Sequence, residues 1–464
     1  MYRPYKKTKE PLHFIGIGGI GMSGIAEVLC RLGFPVSGSD AQESTTTQRL
    51  QGLGVKVHVG HNASHLGDAK VVVYSSAIKD TNPEYAEAKR RGIPLVPRAE
   101  MLAELMRLKY GIGIAGTHGK TSTTSMVGTI LMAANLDPTV IVGGKVGGLG
   151  GNAKLGEGQF LVAEADESDG SFLKLSPVIT VITNIDNDHI DFYGNMAHLR
   201  EAFAQFADKV PYYGRVILCS DDAEARSLLP QLQKPHLTYG FSPAPETAAT
   251  HLQISEYRTH GEGCRFTITR DGAHLCELKL KFPGKHWALN ATAALAVALE
   301  LDVPLETAVV ALDQFGGVAR RFELKGEMVK PHVRIIDDYG HHPTEIAATV
   351  EAACQHWAGK GRVVVAFQPH RFSRTQSCWG QFAGSLKAAD QVFLLDIYAA
   401  GEAPLSGIDS QTLARAMKQQ GCPQVEHSGD LMQTATRLKT TLKDGDLLIT
   451  LGAGSITQLG GMLL

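Results

Sequence analysis

No apolar run in the 464 residues approaches the roughly 18 needed to cross a bilayer, so no membrane span is expected. The seven cysteines (Cys30, Cys219, Cys264, Cys276, Cys354, Cys378 and Cys422) are odd in number, scattered and without a C-x-x-C pair. That argues against a disulfide framework and for a reducing compartment. Neither sign of charge is in excess: 45 Lys and Arg stand against 47 Asp and Glu, leaving a formal charge of -2. Nucleic acid and anionic membrane surfaces are therefore not expected as partners. Short-period repeats are missing too, and with them solenoid and propeller folds. The opening "MYRPYKKTKEPLHFIGIGG" sets lysines before an apolar stretch, but glycines interrupt it at once. A signal peptide is not expected, and a cytoplasmic location is.

Glycine is what the chain has in abundance. The 50 glycines cluster in loops after apolar runs, where a backbone can approach a ligand closely. At roughly 150 residues per domain the length suggests about three domains. From Leu12 to Leu108 short apolar strands ("LHFIGIG", "FPVSGSD", "AKVVVYSSA") alternate with helical stretches, the pattern of a parallel sheet covered by helices. A second such run opens at "GIGIAG" and passes through "FLVAEAD" and "VITVITNID". It ends in antiparallel signals, with Asp271-Gly272 turning between two alternating runs and "SPAPETAATH" a surface loop before them. A third α/β run follows "FGGVARRFE", with strands in "VRIIDDYG", "GRVVVAFQP", "QVFLLDIY" and "GDLLITLGAGS". Ligands of open parallel sheets sit beyond the carboxyl ends of the strands, so each polar strand end is a candidate site.

Two glycine loops carry the first chemistry. "FIGIGGIGMSGIA" fits G-x-G-x-x-G through Gly16, Gly18 and Gly21, between a strand and a helix whose N-terminus favours a diphosphate. Asp40 ends the next strand about 20 residues on, where a ribose hydroxyl is expected. NAD, another nucleotide diphosphate such as a UDP-sugar, and merely tight structural glycines all satisfy this pattern. The second loop, "GIGIAGTHGKTSTTS", departs from G-x-x-x-x-G-K-[ST]: Ile114 stands where the first glycine belongs, and the nearest glycines are Gly113 and Gly116. It keeps Lys120 for the β- and γ-phosphates, Thr121 for Mg²⁺, and a backbone from Gly116 to Gly119 able to point N-H groups inwards.

Other strand ends add polar groups. "FLVAEADESD" offers Glu164, Asp166, Glu167 and Asp169, of which Glu164 is expected to hold a metal and the others to cap the next helix. His189 closes "VITVITNIDNDHID", and on spacing alone a lone histidine is more often structural than catalytic. "DDYGHHPTEI" brings Asp337, Asp338, His341 and His342 to one turn, and "FQPHRFSRT" brings His370, Arg371 and Arg374. Arginine forks suit carboxylates and phosphates; paired histidines suit zinc, but no third ligand follows at a recognisable spacing. One of Arg320 and Arg321 is a candidate to reach a phosphate.

These runs, with "HWALNATAALA" and "RRFE", occur in the order found in the Mur ligases, the ATP-dependent enzymes that build the peptidoglycan stem peptide, and the chain resembles that family along nearly its whole length. Its wording ("GIGGIGMSG", "YSSAI", "RAEML", "ESDGSF") is most similar to the branch that adds the first amino acid, and the family spells its phosphate loop without the early glycine. The resemblance implies an α/β protein of three domains: a Rossmann-like UDP-binding domain over 1–108, a P-loop ATPase domain over 109–317 with a small antiparallel addition, and a Rossmann-like amino-acid domain over 318–464. It implies ATP and Mg²⁺ as cofactors, two ions with Mn²⁺ able to substitute, and UDP-N-acetylmuramate, L-alanine and ATP as substrates of a monomer or homodimer. ATP would meet Gly116, Thr117, His118, Gly119, Lys120, Thr121, Ser122, His286, Asn290 and Arg321, with metal on Thr121, Glu164 and His189. UDP-sugar would meet Gly18, Gly19, Ile20, Gly21, Asp40, His61, Ser75, Ser76 and Arg98. Asp338, His341, His342, His370, Arg371 and Arg374 would form the amino-acid side, and closure on substrate is expected to assemble the centre. Several relatives carry a modified lysine bridging the metals; no equivalent follows His189 here, and none is expected. The alternatives are a ligase attaching a recycled tripeptide to the same sugar nucleotide, and an NAD-dependent dehydrogenase.

Overall fold

The structure, a computed structural model, describes residues 9–75, 77–146, 151–246, 248–260 and 262–464, with the backbone alone at 20, 144–146, 151 and 152. Three sheets form. The first is wholly parallel, in the order β3-β2-β1-β4-β5, from β1 (Leu12–Ile15), β2 (Val36–Asp40), β3 (Lys56–Val59), β4 (Val71–Tyr74) and β5 (Leu95–Pro97). Every residue of β1 is buried, as a central strand covered on both faces requires. The chain runs one way from β1 to β3 and the other way through β4 and β5, so the loop after β1 opens into the crevice where this topology binds ligands. Four helices accompany the sheet: α1 (Ile20–Arg31), α2 (Thr45–Gly52), α3 (Pro83–Arg90) and α4 (Arg98–Met106).

The second sheet has ten strands: β6 (Tyr110–Ala115), β7 (Thr139–Val146), β8 (Gly151–Lys154), β9 (Phe160–Glu164), β10 (Ile179–Ile182), β11 (Arg215–Cys219), β12 (His236–Gly240), β13 (His251–His260), β14 (Gly263–Arg270) and β15 (Ala273–Leu280). Their order is β15-β14-β13-β12-β11-β10-β6-β9-β7-β8. The expected hairpin is present, with Asp271 and Gly272 both at positive φ between β14 and β15, the geometry of a tight primed turn. Strand β6 is flanked by β10 and β9 in parallel register, and α5 (Lys120–Ala133) follows it. The third sheet, β16-β17-β21-β18-β19-β20, comprises β16 (Glu323–Met328), β17 (Val333–Asp338), β18 (Val363–Phe367), β19 (Gln391–Leu395), β20 (Val425–Gly429) and β21 (Leu447–Leu451). It is parallel except for β16, which runs antiparallel to β17. Its two faces have separate cores: Val363, Val365 and Phe367 pack on one side, Val364 and Ala366 on the other.

The chain divides into two compact units. One ends at Ser255 and also takes in Thr267–Leu278 and Leu289–Gly316; the other comprises Glu256–Phe266, Lys279–Ala288 and Gly317–Leu464. The first sheet and strands β6 to β12 of the second lie in the first unit, while β13, β14 and β15 are divided between the two; one contiguous core runs through the first unit from Phe14 and Ile25 to Phe172, Phe203 and Phe206. Among the described residues no helix is long and apolar enough to cross a membrane.

Beneath the first sheet's ligand edge lies a buried carboxylate. Glu84 of α3 accepts hydrogen bonds from the Ser39 hydroxyl (2.5 Å) and the Asn62 amide (3.2 Å). It also faces His65 Nδ1 at 2.9 Å, His61 Nδ1 at 3.4 Å and His13 Nε2 at 3.6 Å. Burial opposes its charge, but the nearby His13 ring and the Ser39 and Asn62 hydrogen bonds outweigh burial and hold the carboxyl down at about 2. The folded-state value lies below that of the unfolded chain, so this stabilisation is complete above the ordinary carboxylate range and is lost as pH falls towards 2. Glu84→Ala is expected to cost about 3 kcal/mol at neutral pH, because three ring nitrogens and two donors lose one buried acceptor. Urea unfolding measures it; a loss below about 1 kcal/mol would show that the network contributes little to stability.

Candidate active site

Side chains cap α2 and α3: Ser44 and Thr47 make a reciprocal box, and Asn82 accepts from the Glu84 and Tyr85 amides. Helices α1 and α5, which follow the two glycine loops, have no side-chain cap. Their N-caps are Gly19 and Gly119, so their first N-H groups face the loop with no side-chain acceptor supplied, the arrangement that receives anions.

The phosphate loop is shaped from two directions. Gly116 sits at φ 126° and Gly119 at φ 84°, conformations a side chain rarely adopts. Space is closed at both positions as well: a Cβ on Gly116 would run into the Thr183 hydroxyl, and one on Gly119 would lie 2.6 Å from Asn290 Oδ1. The segment after β10 clamps the loop. Asn184 accepts from the His118 amide (2.8 Å) and donates to the His118 carbonyl (3.0 Å), while the Thr183 hydroxyl donates to that carbonyl (2.6 Å). Asp186 accepts from His118 Nε2 at 2.9 Å, and its amide donates to the Thr117 hydroxyl at 2.9 Å. Thr183, Asn184 and Asp186 were not among the residues singled out by the sequence reading; the polar "TNID" directly after an apolar strand was the available signal.

Lys120, the first residue of α5, donates to the Gly116 and Thr117 carbonyls at 2.5 and 3.1 Å and to both carboxylate oxygens of Glu167 at 2.9 and 2.8 Å. Burial works against this ammonium, but Glu167, Asp166 and Glu164 outweigh it and raise its pKa above the usual lysine value. Glu167, expected only to cap a helix, is buried on Lys120, and its backbone carbonyl accepts from the Tyr193 hydroxyl at 2.5 Å. Glu164, the expected metal ligand, stands at the end of β9 beside β6 and accepts from the Gly143 amide at 2.5 Å. Thr121 and Ser122 lie in the first turn of α5, and Asn290 packs on Gly119. His189 sits at φ 58° at the start of a short helix, its Nε2 3.7 Å from Asp188.

At the first glycine loop, the Gly18 amide donates to Asp40 Oδ2 (2.8 Å), so the candidate ribose carboxylate already rests on the loop. Ile20 and Gly21 form the first turn of α1. Arg98 lies over Gly21, where a Cβ would overlap its guanidinium. His61 is held from behind by Ser39 and Glu84. Ser75 follows β4, its carbonyl accepting from the Ile78 amide, and Ser76 lies outside the described residues.

The second unit gathers another group. Arg320 is drawn inward to Asp337 (3.1 Å) and the Gly452 carbonyl, whereas Arg321 faces Glu345 at 3.5 Å; their guanidinium carbons stand 4.9 and 5.3 Å from the Tyr339 ring centre. His341 Nδ1 donates to the Tyr339 carbonyl at 3.2 Å, and its ring centre lies 5.9 Å from that of His370. His370 stacks on Tyr398 and accepts from Arg374 at 3.4 Å. Burial, with Arg374 and Arg371 beside it, pushes His370 down to about 4, so at neutral pH it is an uncharged imidazole. Arg371, at φ 69°, opens the helix Phe372–Ser377. His342 caps the helix Pro343–Trp357, its Nδ1 accepting from the Thr344 amide at 3.4 Å. His286, also in this unit, is pushed down to about 4 by burial and then by Arg321. Asp338 accepts from the Phe322 and Gly340 amides, both at 2.8 Å. Burial nonetheless raises it to about 6, against the opposing pull of Arg321 and those two amides.

Two outcomes are expected. Gly119→Ala should cost about 1–2 kcal/mol through its left-handed conformation and lower nucleotide affinity by at least about tenfold. Thermal melts and nucleotide titration measure the two; unchanged affinity would mean that the loop does not need this shape. The folded-state pKa of Asp338 lies above that of the unfolded chain, so its favourable contribution is complete at low pH and lost as pH rises through about 6. Asp338→Asn leaves one amide short of an acceptor, and its cost should shrink by about 1 kcal/mol from pH 5 to pH 8 in paired urea unfolding curves. A cost that does not vary with pH would place the wild-type carboxyl at an ordinary pKa.

Residues 11–110 match the Mur ligase family, catalytic domain, 114–298 the Mur ligase middle domain, and 320–454 the Mur ligase glutamate ligase domain. The chain is 51% identical over 455 residues to a UDP-N-acetylmuramate–L-alanine ligase of Trichlorobacter lovleyi, covering 98% of both. It is equally identical, over 97% of this chain and 96% of the relative, to the protein of the same name from Geobacter sulfurreducens. Among solved structures, the UDP-N-acetylmuramate–alanine ligase of Thermotoga maritima superposes with a TM-score of 0.82 at 29% identity over 98% of each chain. A murein peptide ligase of Psychrobacter arcticus shares the fold, with a TM-score of 0.70 at 22% identity over 98% of each. With its three segments matched in order, and with relatives half identical to it from end to end, the chain belongs to the Mur ligase family.

Proposed function

We propose that the protein uses ATP to join L-alanine to the lactyl carboxylate of UDP-N-acetylmuramate, releasing ADP and phosphate, the first amino-acid addition to a peptidoglycan precursor. The observation that carries this reading is identity to ligases of that name over nearly the full length of both chains. A carboxylate is a poor electrophile, so one of its oxygens first attacks the γ-phosphorus of ATP and ADP leaves. The acyl phosphate then offers phosphate as leaving group to the amine of L-alanine, and an amide forms. Charge neutralisation and alignment accomplish such a transfer without a covalent enzyme nucleophile. Lys120 is suited to the first step, since the loop carbonyls and Glu167 already hold its ammonium at the head of α5. To reach the β- and γ-phosphates it exchanges Glu167 for phosphate oxygens, and Glu167 is released towards cations.

The donors fit a hard divalent ion: the Thr121 hydroxyl and the Glu164 carboxylate offer oxygen, and His189 a nitrogen. Mg²⁺ is the reading, as two ions with Mn²⁺ able to substitute; bound there, it would neutralise charge on the transferred phosphoryl group. Arg321 is assigned to the phosphates, with Asn290 and His286 on the adenine side. Asp338, His341, His342, His370, Arg371 and Arg374 are assigned to the amino acid. The amine must lose a proton, and His370, at about 4, is too weak a base to take it. The acceptor is assigned to the His341 and His342 turn or to water. The domains are assigned as 1–108, 109–317 and 318–464. A monomer or homodimer working in the cytoplasm, where its nucleotides are made, completes the reading. The NAD interpretation of the first glycine loop has no support from the relatives, and the likeness to solved peptide-adding ligases, at 22% and 28% identity, falls well below the half identity to the alanine-adding ones.

Phosphate release from ATP in the presence of UDP-N-acetylmuramate and L-alanine is the expected activity, compared with glycine, L-serine and the stem tripeptide in place of alanine. Release with the tripeptide only would overturn the assignment. Lys120→Ala is expected to lower turnover by at least about a hundredfold while the variant still binds UDP-N-acetylmuramate.

A further inference from the structure

The two glycine loops are joined by charge. Arg98, at the start of α4, lies across Gly21 at the uncapped N-terminus of α1. A cation beside the positive end of a helix is unfavourable unless an anion neutralises it. In the structure that anion is Asp166, whose Oδ2 accepts from Arg98 Nη2 at 3.0 Å. Asp166 is held in turn by the Ser168 amide, 3.1 Å from Oδ1, and directly precedes Glu167, the carboxylate on Lys120. Burial opposes the charge of Asp166, but Lys120 and then Arg98 outweigh it and hold its carboxyl far below the usual range. One carboxylate thus lies in the fields of the phosphate-loop lysine and of the arginine over the sugar-nucleotide loop. A second ion pair, Lys174 with Glu100, ties α4 to the same stretch that follows β9.

We infer that Asp166 is a positioning residue, and that its ion pair with Arg98 is the contact through which the two nucleotide sites sense each other. Resting on the function proposed above, the argument is one of competition. Without nucleotide, Asp166 detains Arg98. When a metal nucleotide brings positive charge to the carboxylates after β9, Asp166 is neutralised from that side and its hold on the guanidinium weakens. Arg98 then turns to the diphosphate at the head of α1, so the metal nucleotide tightens UDP-sugar binding, and by linkage the reverse holds. Binding the diphosphate first has the mirror effect, leaving Asp166 to the cations of the phosphate loop.

Calorimetric titration of UDP-N-acetylmuramate into the full chain, with and without Mg²⁺ and a non-hydrolysable ATP analogue, tests this without turnover. In the wild type the analogue should tighten sugar-nucleotide binding by about 5- to 10-fold. Asp166→Asn, which imitates the neutralised state, should bind tightly in both conditions, bringing the ratio to about one, and Asp166→Glu should restore the wild-type ratio. A wild type without coupling, or an asparagine variant that keeps the wild-type ratio, would overturn the inference. A wild type that does not bind UDP-N-acetylmuramate at all would instead overturn the functional reading. If melting shows Asp166→Asn to be unfolded, Arg98→Lys, which keeps the charge but loses the fork, decides the matter by the same ratio, expected to fall.

Discussion

Everything in the first unit's site is arranged around one ammonium group. Lys120 is partly buried at the head of a helix, where the helix dipole repels a cation and desolvation penalises it further. It remains charged because two loop carbonyls and both oxygens of Glu167 surround it. That cage needs the loop to fold back on the helix, which requires left-handed glycines at 116 and 119 and leaves no room for a side chain at either. It also needs the loop to be braced, and the "TNID" segment after β10 does so through Thr183, Asn184 and Asp186. In the function proposed, an incoming triphosphate would replace Glu167 as the counter-charge, so that the resting contact and the catalytic one would use the same geometry.

Parallel pairing brings these pieces into place. Strands β10, β6 and β9 lie side by side, so the clamp, the phosphate loop and the carboxylates, far apart in sequence, emerge at neighbouring carboxyl ends. The first sheet repeats the logic on a smaller scale: the chain reverses direction across β1, the glycine loop opens there, and Asp40 closes on the Gly18 amide. Beneath it the Glu84 cluster holds His61, a side chain expected at a ligand, from the buried side.

In the second unit, burial sets the chemistry more than charge number does. Arginine lies beside both Asp338 and His370, opposing the shift of the first and adding to that of the second, and each is moved towards its neutral form, one up to about 6 and the other down to about 4, with burial the largest cause. Arg320 and Arg321 are adjacent in sequence and indistinguishable by motif; only the backbone, with Arg320 at φ 60°, sends one inward to Asp337 and the other to Glu345.

Local signals in the sequence were enough to establish strands ending in polar groups, the Asp271-Gly272 hairpin, two glycine loops leading into helices, and an unusual spelling of the phosphate loop that resembles one family. Periodicity, turn chemistry and the positions of glycines depend on neighbouring residues, so a single chain displays them. The partner of each charged group did not follow from those signals. Of the four carboxylates at the end of β9 and just beyond, Glu167 meets Lys120 rather than only capping a helix, Asp166 meets Arg98, and Glu164, the expected metal ligand, accepts from a backbone amide. Successive residues leaving a strand point in different directions, and which direction finds a cation depends on sheet order and register. Tertiary structure alone decided that.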